Sequence, residues 1–355
     1  MSEIRDFIDI SRFAGERFDL VQAGGGNSSV KLDNGEMIIK ASGFSLSDVN
    51  EKDGYSIVQT KQIADIIKIR RVVNAKSKRD RENITSDLVR KATIDTSNRP
   101  SIETLLHSFL LKYTLHTHPV SVNVIVSQKG WRNILKTIFK DEKIALVEYQ
   151  TPGVELAIAL SNSLEGFEYL PNIIFLQNHG LIITSNSKNE IFTITEEVLK
   201  KTEDYLKLDL SKYKFTTEIS KALYRFRKRQ TISYLSCDDF LNTELKKNKE
   251  LFFQLPFCPD SLVYCGIGAV EINNLNKLDV LKVYKEKYYS TPNIIIYQNN
   301  LFIVSQNIKK AREIEDVLKF HIMILAQNNN DINFLPSTEL AYLSNWEAEK
   351  YRQNI

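Results

Sequence analysis

The chain has 355 residues, of which 43% are hydrophobic and 26% charged, and a formal net charge of +3. That length suits one large core or, more in keeping with usual domain sizes, two domains, and the composition is that of an ordinary soluble globular protein. So small a net charge gives no argument for nucleic acid or an anionic membrane as a partner. The start, Met1-Ser2-Glu3-Ile4-Arg5-Asp6, is charged where a secretory signal needs an apolar core, and no later stretch reaches membrane-spanning length, so a cytoplasmic location is expected. Cys237, Cys258 and Cys265 form no Cys-x-x-Cys pair and read as free thiols.

From Ser2 to Phe18, the positions Ile4, Phe7, Ile8, Ile10 and Phe13 recur between charges as on an amphipathic helix. Ala23-Gly24-Gly25-Gly26-Asn27 breaks that pattern and leads into a β-hairpin: Ser28 to Leu32, a turn at Asp33-Asn34-Gly35-Glu36, and a return strand from Met37 to Lys40. Arg70 to Arg99 is basic and polar, and reads as an exposed helical or loop insertion, with an anion-binding patch as the lesser alternative. A helix is expected to open at Pro100-Ser101 and run through Leu105, Leu106, Phe109 and Leu110. A strand holding His116 follows, then an apolar run to Val126, a helix near Trp131 to Phe139, and a helix after Thr151-Pro152-Gly153. A strand over Ile173 to Leu176 and a helix over Glu190 to Leu208 complete this unit. Strands and helices mix without strict βαβ alternation, which favours a mostly antiparallel α/β sandwich over a doubly wound sheet.

We therefore divide the chain into residues 1–212 and a smaller α/β unit, residues 213–355. The stretch Pro171-Asn172-Ile173-Ile174-Phe175-Leu176-Gln177-Asn178-His179 compares with Pro292-Asn293-Ile294-Ile295-Ile296-Tyr297-Gln298-Asn299-Asn300, each before an apolar strand and a charged helix. A degenerate repeat and a chance likeness of Asn- and Ile-rich segments stand as alternatives. With Asn300 aligned to His179 and only His321 in the second unit, that unit cannot build the same histidine site.

Three of the five histidines, His116, His118 and His179, sit at the ends of strand-like segments. Alternate residues of a strand share a face, so His116 and His118 can aim their rings at one point. Gly180 permits a sharp turn beside His179. Three neutral ring nitrogens leave a position for a water or substrate oxygen, the pattern of a catalytic rather than a structural zinc site. The plainer alternative, polar residues at a sheet end, fits each histidine singly better than it fits the trio. Glu103 and His107 are four apart on one predicted helical face. Glu103 could ligate the metal or remove a substrate proton; the alternative is a helix-opening Glu favouring the positive end of the dipole. His107 reads as a packed neighbour, not a fourth ligand. Gly24-Gly25-Gly26-Asn27-Ser28-Ser29 offers amides, a carboxamide and two hydroxyls that can hold a phosphate, though a triple-Gly turn is often only a turn. Ser42-Gly43 could add a hydroxyl and an amide, and Lys31 or Lys40 a charge. The stretch matches neither dinucleotide nor Walker patterns and leads into a strand, so a dinucleotide fold is not supported.

Taken in order, Gly25-Gly26-Asn27-Ser28-Ser29-Val30-Lys31, Lys40-Ala41-Ser42-Gly43, Pro100-Ser101-Ile102-Glu103-Thr104-Leu105-Leu106-His107, His116-Thr117-His118 and Gln177-Asn178-His179-Gly180-Leu181 resemble the class II aldolase/adducin family. More narrowly, the chain is similar to the aldolase portion of bacterial rhamnulose-1-phosphate aldolase/short-chain dehydrogenase fusion proteins, through Cys258-Pro259-Asp260 and the ending Asn345-Trp346-Glu347-Ala348-Glu349-Lys350-Tyr351-Arg352. The fused dehydrogenase is expected to be absent, since no nucleotide-binding Gly motif follows. The resemblance implies a class II aldolase-like α/β/α sandwich and a homo-oligomer, with a tetramer favoured. It implies Zn2+, with Mn2+ or Co2+ as alternatives, on His116, His118 and His179, and Glu103 as the catalytic acid/base. It also implies phosphate binding by Gly26, Asn27, Ser28, Ser42, Gly43 and Ser101. The expected activity is a zinc-dependent lyase cleaving or forming a carbon–carbon bond in a phosphorylated or anionic sugar derivative through a metal-stabilised enediolate. An epimerase, dehydratase or decarboxylase of the same fold is the alternative, and a non-catalytic adducin-like scaffold a further one. Tyr149 reads equally as a substrate contact or as packing. Ile102 departs from the Ser-Ser that phosphate aldolases usually carry before the Glu.

Overall fold

The computed structural model describes residues 2–95, 97–227, 231–328 and 331–345; of the C-terminal segment that carries part of the resemblance, everything from Trp346 on lies outside them. The chain forms two compact units, Met1–Leu210 and Ser211–Ile355. Among the described residues no helix is long and apolar enough to cross a membrane.

The first unit is built on a seven-stranded sheet of β1 (Asn27–Lys31), β2 (Glu36–Lys40), β3 (Tyr55–Gln59), β4 (Tyr113–Thr117), β5 (Ile144–Val147), β6 (Ile173–Leu176) and β7 (Gly180–Ser185). The order is β3-β2-β1-β4-β7-β6-β5, and only the β5–β6 pair is parallel. The mostly antiparallel α/β/α sandwich expected from the sequence is therefore present. Its helices are α1 (Ser2–Gly15), α2 (Thr60–Asp65), α3 (Arg70–Val73), α4 (Lys78–Lys91), α5 (Thr104–Ser108), α6 (Val120–Val126), α7 (Trp131–Ile138), α8 (Val154–Leu164) and α9 (Lys188–Leu206). One face of the sheet packs α1, α6, α7 and α9 around Phe7, Ile10, Leu115, Phe175 and Leu199. The other packs α2 to α5 and α8 around Ile39, Leu105, Leu106, Leu160 and Ile182. Covering both faces explains why β4, β6 and β7 are buried at every position instead of alternating.

The helix expected from Pro100 starts only at Thr104 and ends at Ser108. Pro100 instead bridges Ala41, Ser42 N–H donates to Arg99 O (2.8 Å) and Ser101 N–H to Lys40 O (3.2 Å). Residues 99–101 thus extend alongside the end of β2, and cross-strand pairing outweighs the helix-opening signal of Pro.

A buried ion pair stands behind the exit from β4. Arg17, 1% exposed, donates from Nε to Asp19 Oδ1 (3.0 Å), from Nη2 to Asp19 Oδ2 (2.5 Å), and from Nη1 to Glu196 of α9. The main chain beside that pair receives the segment leaving β4: Leu20 O accepts from His118 N–H and Asp19 O from Val120 N–H, both at 2.9 Å. Removing one partner of such a pair leaves an uncompensated buried charge. We expect Arg17→Met to lower the unfolding free energy by about 3–5 kcal/mol in urea denaturation; a loss under about 1 kcal/mol would show that the pair contributes little.

The second unit has a four-stranded sheet of β8 (Ile232–Leu235), β9 (Val270–Glu271), β10 (Ile294–Tyr297) and β11 (Asn300–Ser305), in the order β8-β11-β10-β9. Helices α10 (Ser211–Arg227), α11 (Asp239–Lys247), α12 (Asp279–Tyr288), α13 (Ile308–Gln327) and α14 (Ser337–Asn345) complete it. β9 runs parallel to β10, β10 and β11 form a hairpin, and β11 pairs antiparallel with β8. This repeats the β4-β7-β6-β5 half of the first sheet, strand for strand and direction for direction. The likeness of residues 171–179 to 292–300 thus falls on equivalent hairpins, each followed by a long helix.

His321 of α13 is 6% exposed, stacks on Phe257 (5.3 Å between centroids) and places Nδ1 3.1 Å from Ser261 Oγ. Burial pulls its pKa down to about 4. An unfolded histidine titrates near 6.5, so between those values the unfolded chain holds a proton that the folded one does not. Stability therefore falls as pH drops from about 6.5 to about 4, by at most about 3 kcal/mol. The urea midpoint of the second unit should follow that course in the wild type and flatten in His321→Gln; identical pH profiles would refute the assignment.

Candidate active site

The site gathers at the end of β4. His116 lies in the strand opposite Asn27 of β1 and Ile182 of β7, so these three side chains share a face. His118 follows two residues later on the same face, just past the strand end. His179 sits in the turn between β6 and β7, after Asn178, whose φ of 53° is the left-handed conformation that Asn tolerates.

The three rings converge through Nε2. His116 Nε2 lies 3.1 Å from His118 Nε2 and 3.2 Å from His179 Nε2. His116 Nδ1 donates to Leu181 O at 3.1 Å, which fixes the tautomer and leaves the Nε2 lone pair facing the other rings. One lone pair can accept only one proton, so hydrogen bonds among the rings cannot satisfy this arrangement, whereas a shared cation can. Desolvation, with the neighbouring histidines adding, drives His116 far below the usual imidazole range; desolvation and His179 also lower His118. Burial thus keeps these two rings in the neutral, ligating form. The donor set fits a divalent ion.

This convergence depends on close backbone approach. A Cβ on Gly180 would stand 2.2 Å from Thr117 O, and one on Gly26, at φ +74°, would stand 2.8 Å from His116 O. Gly26 therefore lets the Gly-rich loop lie against the His116 main chain, a steric role that the phosphate-loop reading did not include.

Glu103, 5% exposed, immediately precedes α5. Its Oε1 is 3.3 Å from His179 Nε2 and its Oε2 3.6 Å from His116 Nε2. Asn27 Nδ2 donates to Glu103 Oε2 (2.9 Å) and to Ser101 Oγ (2.8 Å), and Ser101 Oγ also accepts from Glu103 N–H (3.2 Å). Asn27 Oδ1 is buried with no partner among the described residues, an acceptor held ready beside the carboxylate. Lys40 is buried, donating to Ala41 O (3.2 Å) and Phe44 O (2.6 Å). Desolvation lowers its pKa, and the charges of Glu103 and Asp48 pull it back up.

The remaining expected residues divide. Ser101 joins the cluster, and Ser42-Gly43 forms an exposed turn tied to it through the Ser42 to Arg99 bond. Ser28 does not join: it pairs with Leu115, on the opposite face from His116, and its hydroxyl lies 2.7 Å from Ser11 Oγ of α1. Strand alternation explains this, since Asn27 and Ser28 cannot both point to the site. His107 is fully buried, its Nδ1 2.8 Å from Ser29 Oγ and its pKa pulled down to about 3 by desolvation, outside the three-ring cluster. Tyr149 is half-exposed, and its amide donates to Gln177 Oε1 (3.0 Å) beside the His179 turn. Sequence reasoning missed the Arg17 support, which Glu196 completes from far along the chain, and the Asn27 bridge to Ser101 and Glu103, because these partners are distant in sequence and carry no periodic signal.

The second sheet provides an internal contrast. Counting from the hairpin closing pairs, Leu235 occupies the place of His116 and Cys237 that of His118. Asn300 pairs with Tyr297 and so matches Gly180, not His179 as the sequence alignment had it. The turn is one residue shorter and leaves His179 without a counterpart.

We expect Gly180→Ala to force β7 from β4, cost about 1–3 kcal/mol and lower metal retention. Denaturant unfolding and elemental analysis read both effects, and a variant that keeps wild-type stability and metal content would refute the steric argument.

A family model described as Class II Aldolase and Adducin N-terminal domain matches residues 5–206. Among curated proteins, the uncharacterized oxidoreductase YuxG of Bacillus subtilis (strain 168) is 26% identical over 215 residues, a match covering 57% of this chain and 29% of that protein. The chain thus spans less than a third of that relative's length. Among solved structures, the N-terminal class II aldolase domain of a conserved protein from Thermoplasma acidophilum is 24% identical, with a TM-score of 0.49 over 57% of this chain and 93% of that one. A sugar-phosphate aldolase from Thermotoga maritima is 16% identical, with a TM-score of 0.42 over 58% of this chain and 94% of that one.

Proposed function

Because the chain belongs to the class II aldolase and adducin family by a match over more than half its length, we propose that it is a metal-dependent carbon–carbon lyase acting on a phosphorylated or otherwise anionic sugar derivative. The observation that carries this reading is the convergence of three imidazole nitrogens with a carboxylate 3.3 Å from one of them. A scaffold gains nothing from burying such a set. His116, His118 and His179 would hold the ion, with Zn2+ suited to nitrogen donors and Mn2+ or Co2+ as alternatives. When bound, the cation supplies a fixed positive charge that offsets the negative charge developing on substrate oxygen as the carbon–carbon bond breaks.

The protein's own groups do the rest. Glu103 is the acid/base that moves a proton at the reacting carbon, and the Asn27 amide fixes its orientation. The bare Asn27 Oδ1 accepts from a substrate hydroxyl. Ser101, whose oxygen already accepts two hydrogen bonds, has its own O–H to donate toward an anionic group. Ser42 and Gly43 add donors at the open side, and Gly26 acts by letting the loop approach.

A screen of ketose phosphates and acidic sugars for released carbonyl product tests the activity. Glu103→Gln should lower turnover about 10²–10⁴-fold while leaving the metal bound; wild-type turnover in that variant would end the acid/base assignment. Replacing both His116 and His118 with Ala should remove metal and turnover together, and wild-type protein purified without stoichiometric divalent metal would instead favour the scaffold.

A further inference from the structure

A cavity of about 610 Å³ lies between α4 and the segment that leads into Ser101. Its size falls in the usual range for small-molecule sites. α4 belongs to the basic stretch from Arg70 to Arg99, which the lyase reading leaves without a role. Two wall carboxylates are already engaged: Glu82 Oε2 accepts from Val154 N–H at 3.4 Å, and Asp87 pairs with Arg90 at 3.4 Å. Arg99 is not. Its main-chain carbonyl holds Ser42, while its exposed guanidinium has no hydrogen bond or ion pair among the described residues. Thr85, 2% exposed, lines the cavity, and its buried hydroxyl also lacks a partner among the described residues. Threonine on a helix divides between two χ1 rotamers, so a rotation can bring that hydroxyl to the wall.

Ser101 is shared. It lines the cavity and also bonds Asn27 and Glu103 at the histidine cluster. Ile102, 53% exposed, lines the same wall. The Arg99 guanidinium, without a partner among the described residues, stands three residues before it.

We propose that this cavity binds the distal end of the substrate, a polyhydroxylated chain ending in an oxyanion, with Arg99 as its charge partner and Ser101 as the joint to Glu103. This rests on the lyase reading for the word substrate, but the binding claim stands on its own. The substrate is then an extended sugar acid or sugar phosphate whose charge lies remote from the reacting carbon.

Calorimetric titration of the full chain with D-gluconate, D-glucitol 6-phosphate and neutral D-glucitol tests this. At least one of the charged polyols should bind about tenfold or more tightly than glucitol, and which one does so separates carboxylate from phosphate. Arg99→Gln should weaken that binding about 10- to 100-fold and Thr85→Val about 2- to 10-fold. Arg99 is exposed, so its variant tests the site without disturbing the core. Failure of both anions to bind, or wild-type affinity in both variants, would overturn the proposal. The paired His116→Ala and His118→Ala replacement separates the two claims: Arg99-dependent binding that survives without turnover supports the cavity independently of the metal. An active Glu103→Gln enzyme that still shows Arg99-dependent binding would remove the acid/base assignment of Glu103 alone.

Discussion

Three imidazole nitrogens, two of them within 3.2 Å of the third, cannot be satisfied by one another. The arrangement persists because the backbone leaves no alternative. His116 is locked by the Leu181 carbonyl, His118 by the Leu20 carbonyl that receives its amide, and His179 by a tight turn closed on Leu176. Each lock belongs to a different part of the chain, so the cluster is a consequence of the whole first unit's fold. Gly180 and Gly26 are the steric conditions for it, and the buried Arg17–Asp19 pair is its support from the helical layer.

The second dependence is lateral. Residues 99–101 run beside the end of β2, which places Ser101 under Asn27 and positions Glu103 before α5. A helix starting at Pro100 would have turned these groups about an axis and separated the hydroxyl from the carboxamide. The extended segment instead gives one continuous line of polar contacts from the cavity wall through Ser101 and Asn27 to Glu103. On the proposed reading, substrate recognition and proton transfer share this single main-chain path.

Much of this was legible in the sequence, for reasons that are local. The His116–His118 spacing expresses strand alternation, the Asn34-Gly35 turn sets its hairpin, and the apolar runs mark strands buried on both faces. The order of motifs carried the family. What escaped was set by partners distant in sequence. The β4 register turns Ser28 toward Ser11, so a hydroxyl expected to bind phosphate makes an interlayer hydrogen bond. Pro100 signalled a helix start, but pairing with Ala41 decided the local conformation. Composition revealed the positive charge of residues 70–99, but it could not distinguish Arg90, paired with Asp87, from Arg99, whose guanidinium has no partner among the described residues.

The second unit shows which of these features belong to the fold and which to the chemistry. It repeats half of the sheet, including the parallel pair, the hairpin and the long helix that follows. Its hairpin closes with Gln298 and Asn299 in the left-handed region, so the sharp turn survives with one residue fewer. The side chains at the strand end are Leu235 and Cys237, which need neither a cation nor a tautomer to be stable. An apolar side chain at that edge is the cheaper solution for folding, since it has no ring nitrogen to desolvate. The first unit instead buries His116 completely and holds it neutral beside two more rings. A polar cluster retained against that desolvation penalty, in a sheet whose other copy avoids it, is accounted for by what the three rings bind, not by what they contribute to the core.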